Sequence, residues 1–482
     1  MTTGNRSSGP IGGDARMLIA GAWREGGAMR DSINPYDGSK AGRYPESDAA
    51  DLEDALAAAA RARPEVAATP ARLRAEMLRR MAVLIEERAE PIAQVMTAEI
   101  GKPIRDSRIE VLRTAGLLVM SAEEAVRIEG QQVPIDAHPN GDGKLAVMWR
   151  FPVGVVAGIT PFNAPFNLAW HKVAPALAAG NAVVLKGPAQ GALVVHELAR
   201  IVADAGVPAG WVNILYGDTV GPALVQDPRV DFITFTGSAP VGERIKASCG
   251  LKRVALELGG VGPSIVHADA DLDAIAPVCA LNATRLAGQS CLSVQNLYVH
   301  DAVYDAFAEK FVARIAALKL GDPTVEDTDV GTLVNEKAAL RVEAWVNEAV
   351  GQGATVLTGG KRHGAAFEPT VLADVRPGMK VVDEEIFGPV AVLHRYADFD
   401  ALLGEINDTP YGLHCGLFTN DMQLAFKAIR ALRFGGVIVN GSSTWRTDQM
   451  PYGGIKNSGI GREGPRYAIR DMTDERLVVF NF

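Results

Sequence analysis

The sequence predicts an α/β protein of two lobes with a β-rich arm. Three observations carry this. Short apolar strands alternate with helical segments over most of the chain, a second alternating set follows Glu257, and the chain closes on a strand-like tail. The length of 482 residues corresponds to roughly two to four domains at about 100–200 residues each.

Residues 1–12 are polar and rich in Gly and Ser, and are the one candidate for disorder. Residues 48–63 and 71–99 are rich in Ala, Leu, Glu and Arg with apolar positions at helical spacing, so both read as amphipathic helices. The Gly/Asp turn at 138–143 lies between strand-like pieces and reads as a hairpin. Strands then follow at 153–159, 182–185, 212–215, 232–235 and 254–256, with helices at 168–179, 192–205 and 239–249. Strands of this length between helices argue for βαβ units and a parallel sheet. The second set has helices at 274–286, 302–318 and 423–431, and strands at 296–299, 354–358 and 436–440. The tail, 475–482, alternates towards an apolar end. A strand at a chain end needs a partner, so the hairpin and the tail are candidate oligomer contacts.

Composition narrows the function. Apolar residues make up 48% and charged residues 22%, too apolar for a disordered chain. The net charge of −9 leaves no basic face for nucleic acid. No apolar run reaches the roughly 18–20 residues that span a bilayer, and residues 1–13 lack the apolar core of a signal peptide. Four cysteines without a Cys-x-x-Cys pair do not make a disulfide scaffold. The expectation is a cytoplasmic, enzyme-sized protein. The eight histidines form no close pair with other ligand types, so no metal site is expected.

Four segments carry chemistry, each with a plainer reading beside it. Cys291, in Gly288-Gln289-Ser290-Cys291, is a candidate nucleophile, and at a loop-to-helix junction its thiol pKa would be lowered. A lone cysteine is more often a core residue, the reading kept for Cys249, Cys279 and Cys415. Glu257, before Leu258-Gly259-Gly260, ends a strand where α/β folds collect ligands, although a surface or capping glutamate has the same appearance. Thr160-Pro161-Phe162-Asn163-Ala164-Pro165-Phe166-Asn167 is a proline-fixed loop whose asparagine can donate to a developing oxyanion; as a bare pattern it is a turn. Phe235-Thr236-Gly237-Ser238 runs from a strand into a helix N-terminus that suits a pyrophosphate, without the Gly-x-Gly-x-x-Gly fingerprint.

Taken together and in order, these segments resemble the aldehyde dehydrogenase superfamily from about residue 19 to the end. Leu185-Lys186, Glu384-Glu385-Ile386-Phe387-Gly388-Pro389 and Pro451-Tyr452-Gly453-Gly454-Ile455-Lys456-Asn457-Ser458-Gly459 add to the match. The resemblance implies a Rossmann-like cofactor domain (1–127 and 150–256), a catalytic domain (257–462) and an oligomerisation arm (128–149 and 463–482). It implies that Cys291 attacks the aldehyde carbon, that Asn163 and the Cys291 N–H hold the oxyanion, and that hydride passes to nicotinamide. Glu257 then helps water to hydrolyse the thioester. Such chemistry needs a nucleophile to make the hydride-releasing centre and a base for the water. The cofactor would run along Ile159, Thr160, Pro161, Phe162, Lys186, Ala189, Gly237, Ser238, Val241, Leu258, Gly259, Glu385 and Phe387. A homodimer or homotetramer is implied.

Two departures bear on specificity. Ala189 stands where NAD-preferring members carry a glutamate for the adenosine ribose, so NADP is expected to be accepted and slightly favoured over NAD. Arg446, in Trp445-Arg446-Thr447-Asp448, and Arg113 resemble the branch acting on small polar or anionic aldehydes, such as lactaldehyde, succinic semialdehyde and phosphonoacetaldehyde. An arginine fork suits a carboxylate, sulfonate or phosphonate. Ser290 stands where several anion-using members have a further arginine. The plainer reading pairs Arg113 with a helix carboxylate and makes Arg446 a brace for its loop, while Phe162 and Trp445 would line an apolar wall for an aromatic or aliphatic aldehyde. The rivals are a CoA-acylating dehydrogenase, against which Glu257 argues, a catalytically silent protein on the same scaffold, and a cofactor-free thiol esterase.

Overall fold

A computed structural model describes residues 13–482; residues 1–12, the disorder candidate, lie outside the described residues. Two large sheets form the two lobes. The first has eight strands in the order Ala22–Arg24, Met17–Ile19, Val212–Leu215, Ala182–Lys186, Val155–Ile159, Phe232–Thr236, Arg253–Glu257 and Gly459–Ile460. Its five central strands are parallel, and its edges are antiparallel. The parallel strands are largely buried and mostly apolar because helices cover both faces of the sheet.

Register decides where the chemistry sits. Ile159 pairs with Lys186, Phe235 with Ile159, and Thr236 with Glu257, so the carboxyl ends of four strands lie side by side within one residue of register. Strand order reverses between Val155–Ile159 and Phe232–Thr236. A crevice opens at such a reversal, beyond the carboxyl ends of the strands, and is where open α/β sheets bind ligands.

The second sheet has seven strands in the order Thr355–Thr358, Thr370–Ala373, Val390–Tyr396, Asn296–His300, Ser264–Val266, His414–Phe418 and Gly436–Val439. All its pairings are parallel except the first. The helix Pro165–Ala179 is buried along its entire length between the first sheet and its neighbouring helices, and Phe166 and Trp170 are fully enclosed. Burying each such aromatic contributes about 1.5–3 kcal/mol. The tail strand Thr473–Asn481 pairs antiparallel with Lys144–Pro152 over nine residues, and Gln131–Val133 is the third strand of this arm.

Several elements differ from expectation. The segment 71–99 is two helices, Ala71–Glu87 and Ala89–Ile100, divided at Arg88. Pro91 accounts for the break: its ring opposes the carbonyl of residue 87, and it sits in the first turn of a new helix, where that carbonyl needs no partner from it. The first helix, by contrast, continues through Pro64 to Ala68. The strand expected at 153–159 starts at Val155, because Gly154 (φ 133°) separates it from Lys144–Pro152. The turn at 138–143 belongs to a longer connection with short 3-10 turns at Ile135–Ala137 and Pro139–Gly141. The strand Thr355–Thr358 is antiparallel, at an edge. No helix follows Cys291; it lies in a turn between Arg285–Gly288 and the strand Asn296–His300.

Candidate active site

A cavity of about 320 Å³ opens off the strand-end row. Twelve expected residues line it: Pro161, Phe162, Asn163, Gly237, Ser238, Glu257, Leu258, Gly259, Cys291, Glu385, Phe387 and Arg446. Glu257 ends a strand of the first sheet, and the other eleven lie in loops.

Cys291 lines this cavity. Leu286 and Ala287 just before it hold φ of 56° and 51°, a left-handed conformation that turns the chain sharply off the helix Leu272–Thr284. Gly288 follows at φ 70°, and a Cβ there would strike the carbonyl of Gly388. The sulfur lies 3.0 Å from the Tyr452 hydroxyl. Burial pushes the thiol up to about 12, against the hydrogen bond to Tyr452 and the positive charge of Arg446. This reverses the expected lowering by a helix end, since no helix begins there.

Asn163 lines the same cavity, its amide Nδ2 donating to the Gln289 carbonyl at 2.8 Å. The loop is fixed from behind by Glu110, whose carboxylate accepts from the Phe166 and Asn167 N–H groups at 3.1 and 3.0 Å and is paired with Lys102.

Glu257 is 3% exposed, and neither of its carboxylate oxygens has a hydrogen-bond partner among the described residues. Burial raises its pKa well above the ordinary value, Glu463 adds to this, and Lys172 opposes it. Gly453 is what leaves it room, since a Cβ there would stand 2.7 Å from Oε1. Lys172 donates to the Thr236 and Thr234 hydroxyls at 2.7 and 3.3 Å and lies 3.4 Å from Glu463.

Glu385 accepts from the Gly260 N–H at 3.3 Å, and burial raises it to about 7. A Cβ on Gly259 would collide with its carboxylate, so the glycine at 259 admits this side chain. Phe387 sits at φ 47°, a costly conformation for a side chain with a Cβ. Its ring meets Phe162 edge-on at 5.9 Å.

The other expected residues lie outside the cavity lining. Ile159 and Thr160 are buried at the strand end, and Ala189 and Val241 pack partly buried on the first lobe. Lys186 donates to the Gly217 carbonyl at 2.7 Å and lies 3.2 Å from the exposed carboxylate of Asp218. The Ser290 hydroxyl accepts from the Leu292 N–H at 3.3 Å, and Trp445 is 57% exposed. Arg113 grips Asp448 with Nε and Nη2 at 2.7 and 2.5 Å. That carboxylate lies in the loop with Arg446 rather than on a helix. Asp448 also meets His171 Nε2 at 3.0 Å and stands 3.5 Å from Arg446. Burial opposes its charge, yet His171 and Arg113 hold it well below the usual carboxylate range.

Sequence reasoning gave no role to Tyr452, Lys172, Glu463, Arg341, His171 or Asp448. A signal existed for Lys172, the one lysine in a mostly apolar, fully buried helix. Arg341 donates to the Ile386 carbonyl at 2.6 Å and so braces the Glu385–Phe387 turn.

Comparison with known proteins agrees with this geometry. The model of the aldehyde dehydrogenase family matches residues 23–478. The chain is 43% identical to the 3-sulfolactaldehyde dehydrogenase of Priestia aryabhattai, over 96% of this chain and 98% of that protein. Aldehyde dehydrogenase 21 from Physcomitrella patens, solved with the reaction product succinate, superposes with a TM-score of 0.95 at 40% identity, over 98% of this chain and 99% of that one. The NADP-dependent glyceraldehyde-3-phosphate dehydrogenase from Bacillus halodurans, complexed with NADP, gives 0.95 at 36%, over 97% and 99%. The chain belongs to the aldehyde dehydrogenase family and is an NAD(P)-dependent aldehyde dehydrogenase.

Proposed function

We propose that the chain oxidises a small anionic aldehyde to its carboxylate, with Cys291 as nucleophile and Glu257 as base. The observation that carries this is the cavity itself, whose lining brings together the thiol of Cys291, the unpartnered carboxylate of Glu257 and the guanidinium of Arg446 with its free Nε. Cys291 adds to the aldehyde carbon, and Asn163 Nδ2, 2.8 Å from Gln289 in the free enzyme, turns to the developing oxyanion. The bound nicotinamide supplies the hydride acceptor. Glu257 then takes a proton from the water that hydrolyses the Cys291 thioester, a role for which its raised pKa and free oxygens suit it.

The residues fit such a cofactor. Gly237 and Ser238 open the helix Ala239–Ser248 at the cavity edge, where free N–H groups favour a pyrophosphate. Glu385 and Phe387 would hold the ribose and ring. Lys186 at the strand end and Ala189 in place of a carboxylate support acceptance of NADP, favoured slightly over NAD. The cofactor domain is 1–127 with 150–256, and the catalytic domain is 257–462.

Arg446 is the anion receptor: it lines the cavity, is nearly enclosed, and its Nε has no partner among the described residues. Arg113 supports it indirectly by holding Asp448, while Ser290 and Trp445 flank the approach. The relatives named for 3-sulfolactaldehyde and for succinate support the same class. The arm, 128–149 and 463–482, carries the contacts of a homodimer or homotetramer, supported by exposed Trp149, Leu477, Val479 and Phe480. A cytoplasmic location is supported by four unpaired cysteines; among the described residues no helix is long and apolar enough to cross a membrane.

The test is nicotinamide reduction with NAD and NADP against 3-sulfolactaldehyde, succinic semialdehyde, lactaldehyde, benzaldehyde and hexanal, with Cys291→Ala as blank and CoA omitted. Turnover led by the charged aldehydes is expected. Turnover led by benzaldehyde or hexanal would contradict the anion reading, and a more than tenfold preference for NAD in kcat/KM would contradict acceptance of NADP.

A further inference from the structure

The hydroxyl of Tyr452 has one hydrogen-bond partner among the described residues, the sulfur of Cys291 at 3.0 Å. The tyrosine cannot turn away from it. Its residue is 2% exposed, its N–H and carbonyl both bond to Glu463 across a two-way bridge at 3.2 and 2.7 Å, and its ring packs with Leu292 and Leu413. His414 meets the ring edge-on at 5.3 Å, and the Arg446 guanidinium lies over its face 3.9 Å from the centroid. A cation on the face of a phenol draws electron density from the ring and makes its O–H a stronger donor.

We propose that Tyr452 is a further catalytic residue, a hydrogen-bond donor that stabilises the Cys291 thiolate, with Arg446 strengthening that donation through the ring. This rests on Cys291 being the nucleophile. The step is an ionisation: the thiol proton leaves to solvent, the electron pair stays on sulfur, and Tyr452 keeps its own proton throughout. When the S–C bond forms, the negative charge moves to the substrate oxygen, and the phenol is left bonded to a neutral sulfur.

The surroundings make such a donor necessary. The ionisable groups that face the sulfur are Glu257 at the end of one strand, Glu385 in the loop after the helix Lys380–Asp383, and Arg446 and Tyr452 in the loop after Gly436–Val439. Glu463, Lys172 and Arg341 stand further round the cavity and its wall. The two nearest carboxylates disfavour a thiolate, and burial disfavours it more. Arg446 and the Tyr452 hydroxyl are the groups that oppose them. Burial also raises the phenol well above its ordinary value, so the proton stays on oxygen as the sulfur ionises.

The experiment is alkylation of Cys291 by iodoacetamide as a function of pH, read by peptide mass on the full chain, with and without NADP. In Tyr452→Phe the midpoint is expected to rise by about one pH unit, so that alkylation below the midpoint slows about tenfold. Replacing Tyr452 by 3-fluorotyrosine, a more acidic phenol, is expected to move the midpoint the other way. An unchanged or lowered midpoint in Tyr452→Phe overturns the proposal. If that variant does not fold, an unchanged or raised midpoint with fluorotyrosine overturns it instead. Full turnover by Cys291→Ala would remove the nucleophile assignment and leave the alkylation result standing on its own.

Discussion

Glu257 and Asp448 are both buried carboxylates near the same arginine, and the protein treats them oppositely. Asp448 is held by Arg113, His171 and, at 3.5 Å, Arg446, and stays ionised far below the usual range. Glu257 has no partner for either oxygen among the described residues and is biased towards its protonated form. The difference separates two tasks. A fully bonded carboxylate fixes geometry and locks the Arg446 loop, whereas an unbonded one keeps its lone pairs open and its basicity raised, so that once ionised it can take a proton.

Exchanging either carboxylate for its amide breaks the comparison in a different place. Glu257→Gln is expected to lower kcat by about 10²- to 10⁴-fold. The first turnover of nicotinamide reduction, followed by stopped flow, should survive, because the base acts after hydride transfer. Loss of that burst would place Glu257 before hydride transfer. Asp448→Asn is expected to act on stability first. It leaves Arg113 and Arg446 without their shared anion and should cost about 3 kcal/mol in denaturant unfolding, with the burst kept in the variant that folds.

A smaller effect sharpens the contrast through pH. Asp448, with its pKa lowered in the fold, contributes stability above its ordinary value of 3.8 that is lost as pH falls through the folded value. Glu257, with its pKa raised, contributes stability below its ordinary 4.5 that is lost as pH rises through the folded value. Thermal midpoints of wild type and the two amide variants should therefore diverge at opposite ends of the scale. Asp448→Asn should flatten the acid limb and Glu257→Gln the alkaline one. The reverse assignment would sink the account of the two sites.

The same two residues show what was legible in the sequence. Glu257 ends an apolar strand and precedes two glycines, a local pattern that identifies a strand-end carboxylate, and the parallel strands were readable from their apolar runs. Asp448 offered no such pattern, because its partners Arg113 and His171 lie 335 and 277 residues away and only the folded chain joins them. Tyr452 stood inside a recognised segment, yet its contact with Cys291 spans 161 residues and was invisible for the same reason. The helix break at Arg88 was readable from Pro91, whereas continuation through Pro64 was not, since packing overrides a local breaker there. The helix start expected at Cys291 is absent, because a turn that leads into a buried strand resembles a helix start in sequence, and burial there pushes the thiol pKa up rather than down.

The most direct test of the account is intact-protein mass spectrometry of Glu257→Gln, quenched after one turnover with NADP and succinic semialdehyde. The account predicts a stable addition of the succinyl group, mapped by peptide analysis to Cys291 and absent from Cys291→Ala. No adduct alongside a full burst of nicotinamide reduction, or an adduct on another residue, would contradict it.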